Sequence, residues 1–404
     1  MKDTELFQLA LSLMPPWMVK DCTFDVSEKR LDIQIDFERG GTFSCPACGK
    51  ADCGAYDTEE RTWRHLNFFE HVTYLHAWVP RVRCPDCGVK TAGVPWARPG
   101  SGFTLLFEAF VVLMAREMPV LAVARIVGEH DTRIWRLVGY HVEEARSRED
   151  FSGVREVGVD ETGAKRGHDY ISLFVEMGRT KLLFATEGKD AGTIREFKRD
   201  FKRHGGKPKK VREVSMDMSK AFIAGMQTNF PKAAITFDRF HAVKLVGKAL
   251  DDTRKVEQKG RPELKKGRYA LLKNPENLTD EQAERLIAIM SVSNLQTARA
   301  YRIKRAFQAL YEQPWQYAET YLKRWYFWAT HSRIPAMIKA AHTVRDHWDG
   351  ILRWFQSGIT NAALEGINSL IQAAKARARG YRTAQNFITM AYLIAGKLTF
   401  NLPT

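Results

Sequence analysis

The segment at 211–241 constrains the fold most, because it predicts two buried strands joined by a helix, each strand ending at an acid. Its sequence is VREVSMDMSKAFIAGMQTNFPKAAITFDRFH. The first strand ends at Asp217, the helix begins after Ser219 as its N-cap, and AAITF forms a second strand that ends at Asp238. Parallel strands joined in this way bring their carboxyl ends to one edge, where α/β sheets bind ligands. One such Asp could be only a loop cap, but two in register indicate a polar site.

The residues before this segment predict three more strands and a helix. VREVGVDETG, GHDYISLFVEM and KLLFATEG form a meander, and TIREFKRDFKRHGG forms an amphipathic helix. The first strand ends at Asp160, so acids end strands one, four and five of a β-β-β-α-β-α-β order. That order resembles the ribonuclease H-like fold, whose sheet places strand four beside strand one. The resemblance implies that Asp160 and Asp217 are neighbours.

A basic helical region then interrupts the pattern at 246–355. It is rich in tryptophan, and we predict that most of these residues belong to a core while a minority stack on bases or brace a DNA end. The tryptophans are Trp315, Trp325, Trp328, Trp348 and Trp354.

After this region, SGITNAALEGINSLIQAAKARARGYR predicts a helix capped by Thr360 or Asn361. Glu365 lies in its first turns, near the positive end of the helix dipole, where a lone Glu could be merely stabilising. The polar stripe behind Glu365 predicts a face that binds DNA phosphates. That face consists of Asn368, Gln372, Lys375 and Arg379.

The N-terminal part predicts a β-hairpin followed by a duplicated Cys-Pro-X-Cys-Gly motif. In the hairpin, CTFDVSEKRLDIQIDF, alternating apolar residues from Phe24 to Phe37 indicate one buried face. Two residues between the cysteines of a pair allow both sulfurs to reach one ion, so the motifs predict one structural zinc in a ribbon closed by strands, with reduced structural cysteines as the alternative. Cys53 lies close enough to substitute for a ligand. The predicted ligands are Cys45, Cys48, Cys84 and Cys87.

Residues 104–145 predict a helix-turn-helix. Two apolar stripes are separated by Gly128, which suits a short turn between helices. The second helix would present Arg133, Trp135 and Arg136 to a DNA major groove. Any two packed helices can give this pattern. The zinc module and the basic charge of the chain favour the interpretation as a DNA-binding motif.

The net charge is +15 and the pI is about 9.5, which favours a polyanion as partner, although a basic enzyme of small molecules also fits. No apolar run approaches the ~18–20 residues that span a bilayer. The N-terminal residues include acids and lack a cleavable signal pattern, so we expect a cytoplasmic protein.

The order of these motifs resembles that of bacterial insertion-sequence transposases of the ISL-three family. The phrases that carry the resemblance are the paired CPxCG motifs, VDET with the later GHDY, DRFH at 238–241, and TNAALEGIN with RARGYR. The resemblance implies catalytic acids at Asp160, Asp217 and Glu365, which would bind catalytic Mg²⁺ or Mn²⁺. Asp238 and His241 would support them. The implied partners are the element's terminal inverted repeats and target DNA, bound by a homodimer.

The predicted fold class is therefore multidomain α+β. A DNA-binding regulator without catalysis would share the N-terminal half but would not need all three acids. A ribonuclease H-like nuclease would share the acids but would not need both DNA-binding modules. The predicted domains are a zinc module at 1–98, a helix-turn-helix domain at 99–150, a ribonuclease H-like catalytic domain at 151–245 and 356–404, and the helical insertion at 246–355.

Overall fold

The computed structural model describes residues 2–165, 169–359 and 362–403. The chain is a mixed α+β protein that divides into two compact units, Met1–Ala145 with Thr399–Thr404, and Arg146–Leu398. In the described residues, no helix has the length and apolar character needed to cross a membrane.

The first unit is built on a β-sheet in the order β1-β2-β5-β4-β3, with β6 paired to β5. The predicted hairpin is confirmed, since Asp25 of β1 pairs with Arg30 of β2 in an antiparallel register. The strands are β1 (Trp17–Asp25), β2 (Arg30–Phe37), β3 (Thr42–Phe43), β4 (Cys53–Arg64), β5 (Val72–Cys84) and β6 (Gly88–Thr91).

The buried face of the hairpin is narrower than the sequence predicts. Leu31, Ile33 and Ile35 of β2 are buried, but Phe24 is 43% exposed and Val26 78% exposed. β1 is the edge strand of this sheet, with a neighbouring strand on one side only, and it ends at Asp25, so Val26 lies in the turn that follows it. The prediction of a buried Phe24 and Val26 was therefore wrong.

The helices of the first unit agree with the predicted helix-turn-helix. Gly128 has φ +67°, a left-handed conformation that ends α3 and is most accessible to glycine. Val123 and Ala124 of α3 and Ile134 and Leu137 of α4 are buried, as the two predicted stripes require. The helices are α1 (Asp3–Ala10), α2 (Leu105–Glu117), α3 (Val120–Val127) and α4 (Asp131–Ser147).

The second unit contains a sheet in the order β11-β10-β7-β8-β9. β10 lies parallel to β7 on one side and to β11 on the other, while β7, β8 and β9 form an antiparallel meander. The fourth predicted strand therefore lies beside the first, as expected. The strands are β7 (Glu156–Gly163), β8 (Tyr170–Glu176), β9 (Lys181–Glu187), β10 (Glu213–Met216) and β11 (Ala234–Phe237).

The first of these strands does not end at Asp160, which corrects the sequence prediction. The parallel pairing of β7 with β10 stops at Gly158 and Ser215. The antiparallel pairing with β8 continues as far as Gly163 and Tyr170, and this pairing keeps the chain extended. Asp160 thus lies in the middle of β7 but beyond the part that pairs with β10.

The remaining elements of the second unit are helices, and one of them packs unusually close to β7. A Cβ atom added to Gly158 would lie only 2.7 Å from Cδ1 of Leu364 in α14, so glycine permits this approach. The helices are α5 (Ala191–Arg203), α6 (Lys220–Asn229), α7 (Arg239–Glu257), α8 (Arg268–Leu272), α9 (Asp280–Ser291), α10 (Gln296–Leu310), α11 (Trp315–Thr330), α12 (Pro335–Asp346), α13 (Trp348–Ser357), α14 (Ala362–Arg377) and α15 (Ala384–Ala395).

The tryptophans of the helical region are less buried than predicted. Trp325 is in the core, and its indole N–H donates to the carbonyl of Ile303. Trp348 and Trp354 are half-buried. Trp315 and Trp328 of α11 are exposed, because they lie off the stripe that packs on the neighbouring helices.

Candidate functional site

The four cysteines of the duplicated motif lie together in the first unit. Their sulfur atoms are all within 4.8 Å of one another, and Sγ of Cys48 is 3.7 Å from Sγ of Cys84. Sulfurs ~2.3 Å from a tetrahedral zinc would be about 3.8 Å apart, so the spacing fits this ion. The two motif glycines, Gly49 and Gly88, have φ of +76° and +72°, as expected for tight turns. The four residues are Cys45, Cys48, Cys84 and Cys87.

The turn that follows Cys45 also favours a thiolate at this residue. The backbone N–H groups of Cys48 and Ala47 lower the pKa of Cys45 to about 7, because they stabilise the negative sulfur. The other two cysteines differ. Cys53 is buried outside the group of four, with its thiol directed at the carbonyl of Lys50, and burial raises its pKa. Cys22 is half-buried in β1, and its pKa is also raised, to about 11, chiefly by burial.

In the second unit, two of the three predicted catalytic acids, Asp160 and Glu365, line a polar cavity of about 580 Å³. Asp160 and Glu161 contribute from β7, Asp238 and His241 from the start of α7, and Glu365 from α14. Asp217 follows β10 and does not line this cavity. Its carboxylate accepts a hydrogen bond from the backbone N–H of Ser219 at 2.9 Å. Ser219 holds the predicted N-cap position, but its hydroxyl caps no backbone N–H in the described chain.

The electrostatics of this cavity show several carboxylates close together. Burial raises the pKa of Asp160, and the charge of Asp217 raises it further, whereas the backbone N–H of Glu161 and the His241 ring oppose the shift. Burial and then Asp217 also raise the pKa of Glu161. Glu161 is a residue that sequence reasoning passed over, although the VDET phrase places it directly after Asp160. A divalent cation would relieve this repulsion, and carboxylate oxygens are the ligands that Mg²⁺ prefers.

The acids stand around the cavity without forming a closed ligand set. Within the described ranges, the cysteines are the one group of three or more His, Cys, Asp or Glu residues whose ligand atoms lie within 4.8 Å of each other. The carboxylates fit a hard cation by the chemistry of their oxygen atoms, although in the described chain no three of them have these atoms within 4.8 Å of one another.

Asp238 and His241 form a pair at the N-terminus of α7. Asp238 is buried, caps the helix by accepting from the Phe240 N–H at 3.1 Å, and contacts Nδ1 of His241 at 3.0 Å. This hydrogen bond raises the pKa of His241, since it stabilises the imidazolium. The capping role expected of a lone Asp is thus present, together with a position on the cavity wall.

The polar face of α14 meets β7 directly. The Asn368 side-chain amide donates to Oδ2 of Asp160 at 3.2 Å, and its carbonyl accepts from the hydroxyl of Thr162 at 2.7 Å. Gln372 donates to the Thr162 hydroxyl oxygen at 2.5 Å, and Lys375 donates to the carbonyl of Gly163 at 2.6 Å. Three of the residues predicted to bind phosphates therefore hold the end of β7, and their contact with DNA stays a prediction.

One residue of the predicted polar stripe lies outside α14, and several other predicted residues lie outside the part of the chain that the structure describes. α14 ends at Arg377, and Arg379 follows it with φ +57°, so Arg379 is not part of the helical stripe. The predicted caps Thr360 and Asn361 lie outside the described residues, as do Gly167 and His168 of the GHDY phrase.

The Thr162 hydroxyl connects α14 to β7, and we expect Thr162→Val to lower the free energy of unfolding by ~1–3 kcal/mol. The substitution keeps the shape of the buried Thr162 side chain but leaves the partly buried carbonyl of Asn368 without its donor. Urea unfolding of the variant measures this loss. Thr186→Val is the matched control, because the Thr186 hydroxyl donates to an exposed glutamate, Glu196. Equal stability of the two variants would show that the contact between Thr162 and Asn368 contributes nothing.

The two arginines predicted to contact DNA differ in their surroundings. Arg133 forms an ion pair with Glu129, and its guanidinium carbon lies 4.4 Å from the centre of the Phe103 ring. Arg136 lies one turn further along α4 and is exposed. Both side chains are exposed, but Arg133 would have to leave its ion pair with Glu129 to reach a base.

Comparison with protein families gives three matches that follow one another along the chain. Residues 41–87 match the zinc-finger of the transposases IS204, IS1001, IS1096 and IS1165. Residues 94–142 match the helix-turn-helix domain of transposase family ISL3, and residues 157–391 match the ISL3 family's transposase model.

Two transposases are similar to this chain over most of its length. The chain is 28% identical to the transposase for insertion sequence element IS1557 of Mycobacterium tuberculosis, over 97% of this chain and 96% of that protein. It is 27% identical to the transposase for insertion sequence element IS1001 of Bordetella parapertussis, over 85% of this chain and 86% of that one.

Proposed function

Because the chain belongs to the ISL3 family of transposases, we propose that it binds the terminal repeats of an insertion sequence and carries out metal-dependent cleavage and strand transfer there. The observation that carries the proposal is the cavity where Asp160, Asp238 and Glu365 meet, with Asp217 close enough to raise the pKa of Asp160. Phosphodiester cleavage needs an activated water and stabilisation of the leaving oxygen, and carboxylate-bound Mg²⁺ or Mn²⁺ supplies both.

The residues around the cavity have different roles in this proposal. Asp160, Asp217 and Glu365 would hold the divalent ions, and Asn368 would orient the Asp160 carboxylate through its hydrogen bond. His241, held by Asp238, would face the DNA phosphate with a positive charge. The strand order supports a ribonuclease H-like fold for the catalytic unit, with the helices between α7 and α14 as an insertion.

Incubation of the protein with labelled element ends and Mg²⁺, followed by mapping of the nicks, tests the proposal. We expect cleavage at the element boundary that requires the metal and is followed by joining to target DNA. Binding of the ends with no cleavage in Mg²⁺ or Mn²⁺ would favour the alternative, a DNA-binding regulator. Cleavage of unrelated duplexes at the same rate would favour a nuclease.

The N-terminal unit would recognise the ends. We propose that the cysteine group holds one structural zinc and that α4 enters the major groove of the terminal repeat. Two ends must be brought together before joining, so we propose that a homodimer acts on synapsed ends at the nucleoid.

If α4 reads bases, Arg136→Ala should weaken binding to cognate ends by ~1–3 kcal/mol and relax specificity at one position. Arg133→Ala should cost less, because the Arg133 guanidinium is already paired with Glu129. Competition binding on cognate and random DNA separates the two effects. If Arg136→Ala weakens binding to cognate and random DNA equally, Arg136 contacts a phosphate. In that case α4 does not read a base through Arg136.

A further inference from the structure

A second cavity of about 480 Å³ adjoins the cavity of the acids and shares Asp238, Phe240 and Glu365 with it. The start of α7, the end of α10, α13 and the start of α14 form its walls. Its size lies in the range of pockets for small organic groups, ~300–1,000 Å³. None of the functions assigned above uses it.

The walls combine aromatic rings with amides. Trp354 and Tyr311 meet edge to face, with ring centres 5.2 Å apart, and Phe240 at the mouth is 57% exposed. The amide of Gln308 donates to Oδ1 of Asn274 at 2.8 Å. This bond fixes the Asn274 side chain and leaves the N–H₂ group of Asn274 directed away from Gln308. Aromatic faces and a fixed amide are the groups that proteins use to hold a nucleobase.

Two further groups suit a nucleotide at this place. The guanidinium carbon of Arg239 lies 5.8 Å from the Trp354 ring centre on the cavity wall, where it can meet a phosphate. The hydroxyl of Tyr311 is buried and has no hydrogen-bond partner among the described residues. A buried hydroxyl without a partner costs free energy, so a polar ligand that approaches it gains a hydrogen bond.

We propose that this cavity receives one unstacked nucleobase of the DNA strand being processed, next to the phosphate at the catalytic acids. The inference rests on the proposed function, since DNA must occupy the first cavity. A base stacked in a duplex cannot enter a closed side cavity, so the nucleotide rotates out of the helix. Trp354 and Phe240 offer faces for stacking, and the Asn274 amide offers a donor to a base edge. Anchoring this base fixes the neighbouring phosphate against the acids.

Abasic substitution tests the proposal. Trp354→Leu keeps an apolar side chain but removes the stacking face, and we expect it to slow cleavage of intact ends by roughly 5- to 150-fold, the equivalent of ~1–3 kcal/mol for one base stack. A single abasic site at one position beside the scissile phosphate should restore much of this rate, because no base then has to be unstacked and held. Trp354→Phe keeps an aromatic face and should stay near the wild-type rate.

Phe240→Leu is the second variant, because the ring of Phe240 is exposed and contributes little to the core, so its loss should leave the chain folded. It should show the same rescue by the same abasic site. Trp315→Ala is the control, since Trp315 is exposed on α11 and does not line the cavity, and it should cleave normally. If the wild type cleaves intact ends but no abasic position rescues Trp354→Leu or Phe240→Leu, the base pocket is wrong and the proposed function stands. If the wild type does not cleave at all, the proposed function itself fails.

Discussion

Asp160→Asn, Asp217→Asn and Glu365→Gln are each expected to abolish cleavage and joining while leaving end binding nearly intact. Each substitution removes a negative charge from the proposed ion site but keeps the shape of the side chain. A catalytic ion stabilises transition-state charge by several kcal/mol, and ~1.4 kcal/mol is tenfold in rate, so the loss should reach roughly a thousandfold or more. Timed cleavage of labelled ends measures the rate, and gel-shift titration of the same ends measures the binding.

The control for these variants is Asp280→Asn, which removes an exposed acid in the first turn of α9 and should cleave at the normal rate. Asp238→Asn and His241→Ala test the supporting pair. They should slow one step, joining more than cleavage, because we assign His241 to the DNA phosphate and Asp238 to holding His241, and neither of them to the ions.

The choice between Asp217 and Asp238 as second ligand depends on the strand order. β10 lies directly beside β7, and β11 is one strand farther, at ~4.8 Å per strand. Asp217 also raises the pKa of Asp160 through its charge. Asp238, however, lines the same cavity as Asp160 and Glu365, whereas Asp217 does not. An active Asp217→Asn together with an inactive Asp238→Asn would exchange their roles.

Much of this arrangement could be predicted because its signals are local. The pattern of apolar residues predicted the strands, whereas the position of the fourth strand beside the first was predicted from the resemblance to the ribonuclease H-like fold. The cysteine spacing gave the four-sulfur group for a similar reason, since each pair lies within one tight turn.

The contacts between α14 and β7 could not be predicted, because they join residues far apart in sequence. Thr162 and Asn368 are separated by 206 positions. The same Asn, Gln and Lys stripe suits either phosphate or a strand end, and a helical pattern does not distinguish these partners. The prediction did not identify which tryptophans are exposed, Trp315 and Trp328, because tryptophan content alone does not say which helix faces are covered.

Cys84→Ser is expected to abolish zinc binding and specific end binding, because it removes a buried ligand at the end of β5. Binding of structural zinc contributes ~10–16 kcal/mol to the folding of zinc-finger peptides. Cys22→Ser, a substitution in β1 outside the sulfur group, should keep one zinc per chain and bind normally. Metal analysis and end binding measure both variants, and calorimetry should find the unfolding transition of the second unit unchanged, since its core contains none of these cysteines. A Cys84→Ser protein that retains one zinc and full end binding would show that these cysteines do not form the metal site.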